Sequence, residues 1–243
     1  MEGGRLAIEI WPAIDVLGGE AVRLRQGHFS AVTHYASPLA LAERLIQAGI
    51  FRVHLVDLDG ARHGRFGLWT ILEELLALGL RVEVGGGFRR TDEVAKALDA
   101  GAERVVVSSR LVTDSAFGAE LLRRFGPHRV VAGIDVGSDG RVRVQGWAVT
   151  GPDALTLWQT LYAQGFRVVN VTDITRDGSL DGIRESFWIP WAKMPGAVGA
   201  GGGIRSAQDL KTLARLGLAH AVVGKAWLEG TVALADLAQA GTA

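Results

Sequence analysis

Short apolar runs rich in Val and Ile recur along the chain, each ending in Gly, Asp or Ser and each followed by a longer stretch of helical period. A strand buried in a parallel sheet reads as a nearly continuous apolar run, whereas an amphipathic helix repeats its apolar positions every three to four residues. The runs predict eight strands: Ile8–Val16, Val53–Leu58, Arg81–Val84, Arg104–Val107, Val130–Val136, Val168–Thr172, Ala197–Ala200 and Ala219–Val223. Between them, Leu and Ala spacing predicts helices over Leu39–Gln47, Leu68–Leu78, Thr91–Asp99, Ser115–Phe125, Ala154–Gln164 and Ala207–Leu216. Thr91 and Ser206, each followed by acidic residues, are the expected N-caps of two of these helices. Such alternation builds βα units around a parallel sheet. Eight units in 243 residues fit a closed α/β barrel, (β/α)₈, better than a doubly wound sheet.

The pattern also repeats at long range. Ala13-Ile14-Asp15-Val16 returns as Gly133-Ile134-Asp135-Val136, an offset of 120 (135 − 15), and Phe51-Arg52-Val53 returns as Phe166-Arg167-Val168, an offset of 115 (166 − 51). Gly85-Gly86-Gly87-Phe88-Arg89 returns as Gly201-Gly202-Gly203-Ile204-Arg205, and Val106-Val107-Ser108-Ser109 as Val222-Val223-Gly224-Lys225, both at 116 (201 − 85 and 222 − 106). Matches in one order at nearly one offset imply a single domain made of two half-barrels, approximately residues 1–126 and 127–243. Each functional element is then expected twice.

Composition narrows the chemistry. Lys and Arg number 26 against 26 for Asp and Glu, so there is no general field to attract nucleic acid or an anionic membrane, and any anion must be bound locally. The absence of cysteine removes disulfides, thiolate metal sites and a thiol nucleophile. The apolar runs are far too short to span a bilayer, and the opening Met-Glu-Gly-Gly-Arg lacks the features of a signal peptide. A cytoplasmic monomer acting on a small molecule is the expectation. No metal-ligand spacing, nucleotide loop or dinucleotide fingerprint occurs, so no cofactor is expected.

Asp15 and Asp135 fall near the carboxyl ends of equivalent strands, the face on which barrels of this class assemble their sites. One such Asp reads equally well as a cap, but its duplication favours a general acid–base pair. The triple-glycine turns, with Gly86, Gly87 and Arg89 in one half and Gly202 and Gly203 in the other, let backbone N–H groups approach phosphate oxygens. Ser108-Ser109 and Gly224-Lys225, at the ends of the adjacent strands, would complete two phosphate sites. Thr172 and Asp177 are candidate sugar contacts, while Asp173 reads equally as part of a solvated Asp-Gly turn. Arg143 and Trp147 could grip and stack a flat heterocycle, or the loop that holds them could be a hairpin packing Trp147 on the rim. His54 is a further candidate contact, although a lone buried His is more often a satisfied structural residue.

With these residues in place, the chain resembles a known family. Pro12-Ala13-Ile14-Asp15, His54-Leu55-Val56-Asp57-Leu58-Asp59-Gly60-Ala61, Val84-Gly85-Gly86-Gly87, Thr172-Asp173-Ile174-Thr175-Arg176-Asp177-Gly178 and Gly201-Gly202-Gly203-Ile204 are similar, in family order and over essentially the whole chain, to the phosphoribosylformimino-aminoimidazole carboxamide ribotide isomerases of histidine biosynthesis. The resemblance implies an Amadori rearrangement of an aminoaldose to an aminoketose on a substrate with a phosphate at each end. It makes Asp15 the general base and Asp135 the general acid, with Thr172 and Asp177 in support. Ser108-Ser109, Trp69, Arg184 and Lys225 depart from the family's usual residues. Three alternatives stay open: the sister cyclase that works with a glutaminase, a dual-substrate isomerase in which Arg23 and Arg143 grip an anthranilate carboxylate, and a non-catalytic sugar-phosphate binder. Phosphoribosylanthranilate isomerase itself usually employs a cysteine base, which this chain lacks.

Overall fold

Alternation along the apolar strands decides which side chains face inward. In β4 (Arg52–Asp57), Val53 and Leu55 are fully buried in the layer between strands and helices, while His54 and Val56 line the interior cleft. A computed structural model describes residues 8–25 and 28–240, so the reading of the amino terminus lies outside the described residues. Eight strands pair in parallel around a closed ring: β1 (Glu9–Leu17), β4, β5 (Arg81–Gly85), β6 (Arg104–Val107), β7 (Val130–Val136), β10 (Val168–Asp173), β11 (Ala197–Gly201) and β12 (His220–Val223), with β12 closing on β1. The protein is thus a (β/α)₈ barrel, and each predicted strand is present with both ends within one residue of the expectation.

Six helices match the apolar periodicity: α1 (Pro38–Gln47), α3 (Trp69–Ala77), α4 (Thr91–Asp99), α6 (Ser115–Phe125), α7 (Ala154–Gln164) and α9 (Ala207–Leu216). Ser206 caps α9 in a reciprocal capping box with Asp209, as its spacing predicts. Thr91 does not cap α4. It is the first helical residue, and Arg90 takes the cap position with no side-chain bond. Further helices complete the ring: α2 (Leu58–His63), α5 (Ser109–Thr113), α8 (Glu185–Ala192), α10 (Lys225–Leu228) and α11 (Leu234–Ala240). α8 escapes the pattern because Pro190 lies inside it, yet burial of Trp188 and Trp191 against the core holds this short helix in place.

Two antiparallel hairpins rise from the carboxyl end of the barrel. β2 (Glu20–Arg25) pairs with β1 and with β3 (His28–His34), while β8 (Arg141–Val144) pairs with β7 and with β9 (Val149–Asp153). Both follow the strand that carries an aspartate, so the repeat extends to the loops. The Arg141–Trp147 segment forms a hairpin, but Trp147 is turned into the cleft and not packed on the rim.

Candidate active site

The register of the strands sets Asp15 and Asp135 at the same height. Asp15 lies beside Val56 of β4, and Asp135 beside Thr172 of β10. Both line one cleft of about 280 Å³ at the barrel mouth, together with Arg23, His54, Arg143, Trp147, Thr172 and Asp177. The structure therefore gathers every predicted acid–base and sugar-contact residue into one space.

The two aspartates have different partners. Arg23, on β2, donates to Asp15 at 2.5 Å and to Asp177 at 3.0 Å. The Trp147 indole N–H donates to Asp135 at 2.8 Å, and the Thr172 hydroxyl also bonds this carboxyl. Burial pushes Asp15 above the ordinary carboxylate range, opposed chiefly by the Arg23 charge. Burial raises Asp135 as well, opposed chiefly by hydrogen bonds from the neutral groups of Trp147 and Thr172. Trp147 reaches Asp135 through a turn in which Gln145, Gly146 and Trp147 all have positive φ. Arg143 lines the cleft but is paired with Asp139 at 2.9 Å.

The glycine turns are packed as tightly as their composition suggests. At Gly86, φ is 101° and a Cβ would lie 2.2 Å from the Asp57 carbonyl oxygen; at Gly202, φ is 88° and a Cβ would lie 2.4 Å from the Asp173 carbonyl oxygen. These clashes are with backbone, so the fold alone requires glycine there, whatever binds above. Asp57 and Asp173, themselves 116 residues apart (173 − 57), brace the turns. Asp57 accepts from the Gly60 and Gly67 N–H groups, and Asp173 from Thr175 and Arg184. Asp173 is 1% exposed, which overturns its reading as a solvated turn residue.

The loops do not stay within their own halves. Because β1 neighbours β12, Arg23 crosses to the second half and packs on Gly224, where a Cβ would meet its guanidinium. Because β7 neighbours β6, the β8–β9 hairpin reaches the first half, and Gln145 N–H donates to Ser109 Oγ at 3.0 Å. Gly86, Gly87, Arg89, Ser108 and Ser109 open into the large cleft. Gly202, Gly203, Gly224 and Lys225 line a second space of about 20 Å³, on the order of one water, with Lys225 donating to the Gly178 carbonyl at 3.0 Å.

The residues that sequence reasoning missed form a polar layer beneath the cleft: Glu83, Arg104, Asn170 and His220, all buried. Their signal was available. Each interrupts an apolar strand, and the offset of 116 pairs His54 with Asn170 and Arg104 with His220 (170 − 54, 220 − 104). Among the described residues, no group of three or more His, Cys, Asp or Glu is placed to hold a metal ion, and no helix is long and apolar enough to cross a membrane.

Residues 9–233 match the family described as histidine biosynthesis protein. A protein from Chloroflexus aggregans is 40% identical over 233 residues, covering 94% of this chain and 96% of that protein. One from Streptococcus sanguinis is 36% identical over 241 residues, covering 97% and 99%, and one from Xylella fastidiosa is 37% identical over 242, covering 96% and 90%. All three are named 1-(5-phosphoribosyl)-5-((5-phosphoribosylamino)methylideneamino)imidazole-4-carboxamide isomerase. With a match of this length lying over a duplicated barrel and its paired aspartates, the chain belongs to the histidine biosynthesis protein family.

Proposed function

We propose that this protein catalyses the Amadori rearrangement named for its relatives, converting the phosphoribosylamino end of the substrate from an aminoaldose to an aminoketose. The observation that carries the chemical reading is the unequal surroundings of two carboxyl groups facing one cleft. Such a pair divides the labour of acid and base. Asp15, with a guanidinium at 2.5 Å, is the group that ionises more readily and serves as base. Asp135, raised by burial and held by neutral donors, keeps its proton and serves as acid.

Asp135 delivers its proton to the ribose ring oxygen as the bond from carbon-1 to that oxygen breaks, leaving an iminium at carbon-1. Asp15 removes the proton from carbon-2, and the electron pair of that bond neutralises the iminium as an enolamine. The enolamine then loses its carbon-2 hydroxyl proton and gains one at carbon-1, giving the ketone with no net gain or loss of atoms. Thr172 steadies Asp135, and Asp177, held by Arg23, contacts the sugar. The turns at Gly86, Gly87, Arg89, Ser108 and Ser109, and at Gly202, Gly203, Gly224 and Lys225, receive the two phosphates. A coupled assay of the purified protein on the imidazole-carboxamide aminoaldose tests this. Turnover that is lost in both Asp15→Asn and Asp135→Asn supports the reading, and no turnover by the parent protein refutes it.

A further inference from the structure

The floor of the cleft is polar, and its hydrogens can be assigned one by one. Glu83 lies below the cleft with no exposed surface. One of its oxygens, Oε1, meets both His54 Nδ1 at 2.5 Å and Asn170 Nδ2 at 2.6 Å, and the other, Oε2, lies 2.5 Å from Arg104 Nε. Arg104 in turn stacks on Trp11 at 4.2 Å. Asn170 Oδ1 meets His220 Nε2 at 2.6 Å. Burial would raise the Glu83 carboxyl, but Arg104 and His54 outweigh it and hold the group down at about 2, so it is a carboxylate that only accepts. Burial drives His220 down to about 3, so its ring is neutral, and the single ring proton sits on Nε2, facing the Asn170 oxygen. Asn170 must then present its amide nitrogen to Glu83. The one arrangement left for His54 is a proton on Nδ1, donated to Glu83.

His54 is also part of the cleft wall, and Nε2 has no protein partner among the described residues. We propose that Glu83, which does not reach the cleft, is a positioning residue that accepts a hydrogen bond from His54 Nδ1 and so aims Nε2 at a hydroxyl of the bound sugar. The charged and titratable groups around His54 are Asp15 from β1, Glu83 from β5, Arg104 from β6, Asp135 from β7 and His220 from β12. On the reaction side of His54 the cleft holds the carboxyls of Asp15, Asp135 and Asp177 together with the guanidinium groups of Arg23 and Arg143. The repeat sharpens the point. The second half has Asn170 where the first has His54, and Gly199 where the first has Glu83, the space for a side chain at Gly199 being filled by the His220 ring. One half carries the His–Glu pair and the other has lost it, so the floor is polarised although the barrel is duplicated.

This inference rests on the sugar-isomerase reading only for the identity of the hydroxyl, and the tests separate the two. A long-range ¹H–¹⁵N correlation spectrum of the unaltered protein at pH 8, with the His54 signals identified by their loss in His54→Asn, should show a protonated nitrogen at Nδ1. An unprotonated, pyridine-type nitrogen at Nδ1 overturns the proposal whether or not the protein turns over its substrate. In Glu83→Gln either amide orientation sets an N–H donor against Arg104 or against His54 and Asn170, so the His54 signals should become mixed or inverted and kcat/KM should fall at least tenfold. His54→Asn keeps a donor near the Nδ1 position and removes Nε2. It should melt with the parent yet lose at least tenfold in kcat/KM, and turnover within twofold of the parent overturns the proposal even if Glu83→Gln fails to fold.

Discussion

Asp135 and Asp15 differ in the company they keep, and that difference reaches beyond catalysis. Burial raises Asp135 above its ordinary value of 3.8, so the fold prefers the protonated form. The stability this contributes is complete below pH 3.8 and is lost as pH rises through the raised value. Asp135→Asn, which never ionises, should therefore resist denaturant better than the parent at pH 7, with the gain shrinking at pH 4, while kcat falls by roughly 10²–10⁴-fold. Urea melts at the two pH values check the first half and the coupled assay the second. His220 works in the opposite direction. Its folded-state pKa lies at about 3 against 6.5 for the free group, so its contribution is complete above pH 6.5 and drains as pH falls toward 3, by ~1.4 kcal/mol per pH unit. In His220→Gln the fall in unfolding free energy between pH 6.5 and 4.5 should be shallower than in the parent. At this scale the sequence marked Asp15 and Asp135 through their duplication. Glu83 was marked only as a charge interrupting an apolar strand, because a carboxylate in a five-residue strand takes its meaning from the partners the closed ring brings to it.

The glycine turns offer a controlled comparison between elements. Gly79 and Gly86 both have positive φ, but a Cβ at Gly79 meets nothing within 4 Å whereas at Gly86 it meets the Asp57 backbone. Gly79→Ala should cost about 1 kcal/mol, the penalty of the left-handed conformation alone. Gly86→Ala should cost on the order of 3 kcal/mol and should depress turnover as the turn shifts. Thermal melts and the coupled assay separate the two. Strands and long helices were legible because their burial is periodic, and each was found within a residue or two. The hairpins were legible only in part. The Arg141–Trp147 segment reads either as a heterocycle-gripping loop or as a hairpin, and nothing local announces that Trp147 will turn its N–H onto Asp135, a contact set by three successive positive φ angles. α8 was illegible because Pro190 suggests a break, and only packing of Trp188 and Trp191 keeps it helical.

On the scale of the molecule, zero net charge means that the proposed phosphate binding rests on local cations such as Arg89 and Lys225. If the two glycine turns hold the phosphates as proposed, added salt should raise KM by weakening those local contacts while leaving kcat nearly unchanged, which steady-state rates across an ionic-strength series would read. The larger consequence comes from the crossing of the hairpins. Arg23 of the first half covers Gly224 of the second, and Gln145 of the second is tied to Ser109 of the first. If the proposed halves meet near residue 126, neither owns a complete set of groups. Cleaved there, the protein would work only as a noncovalent pair. Its activity would vanish on dilution and return on concentration, whereas two self-sufficient sites would be indifferent to either.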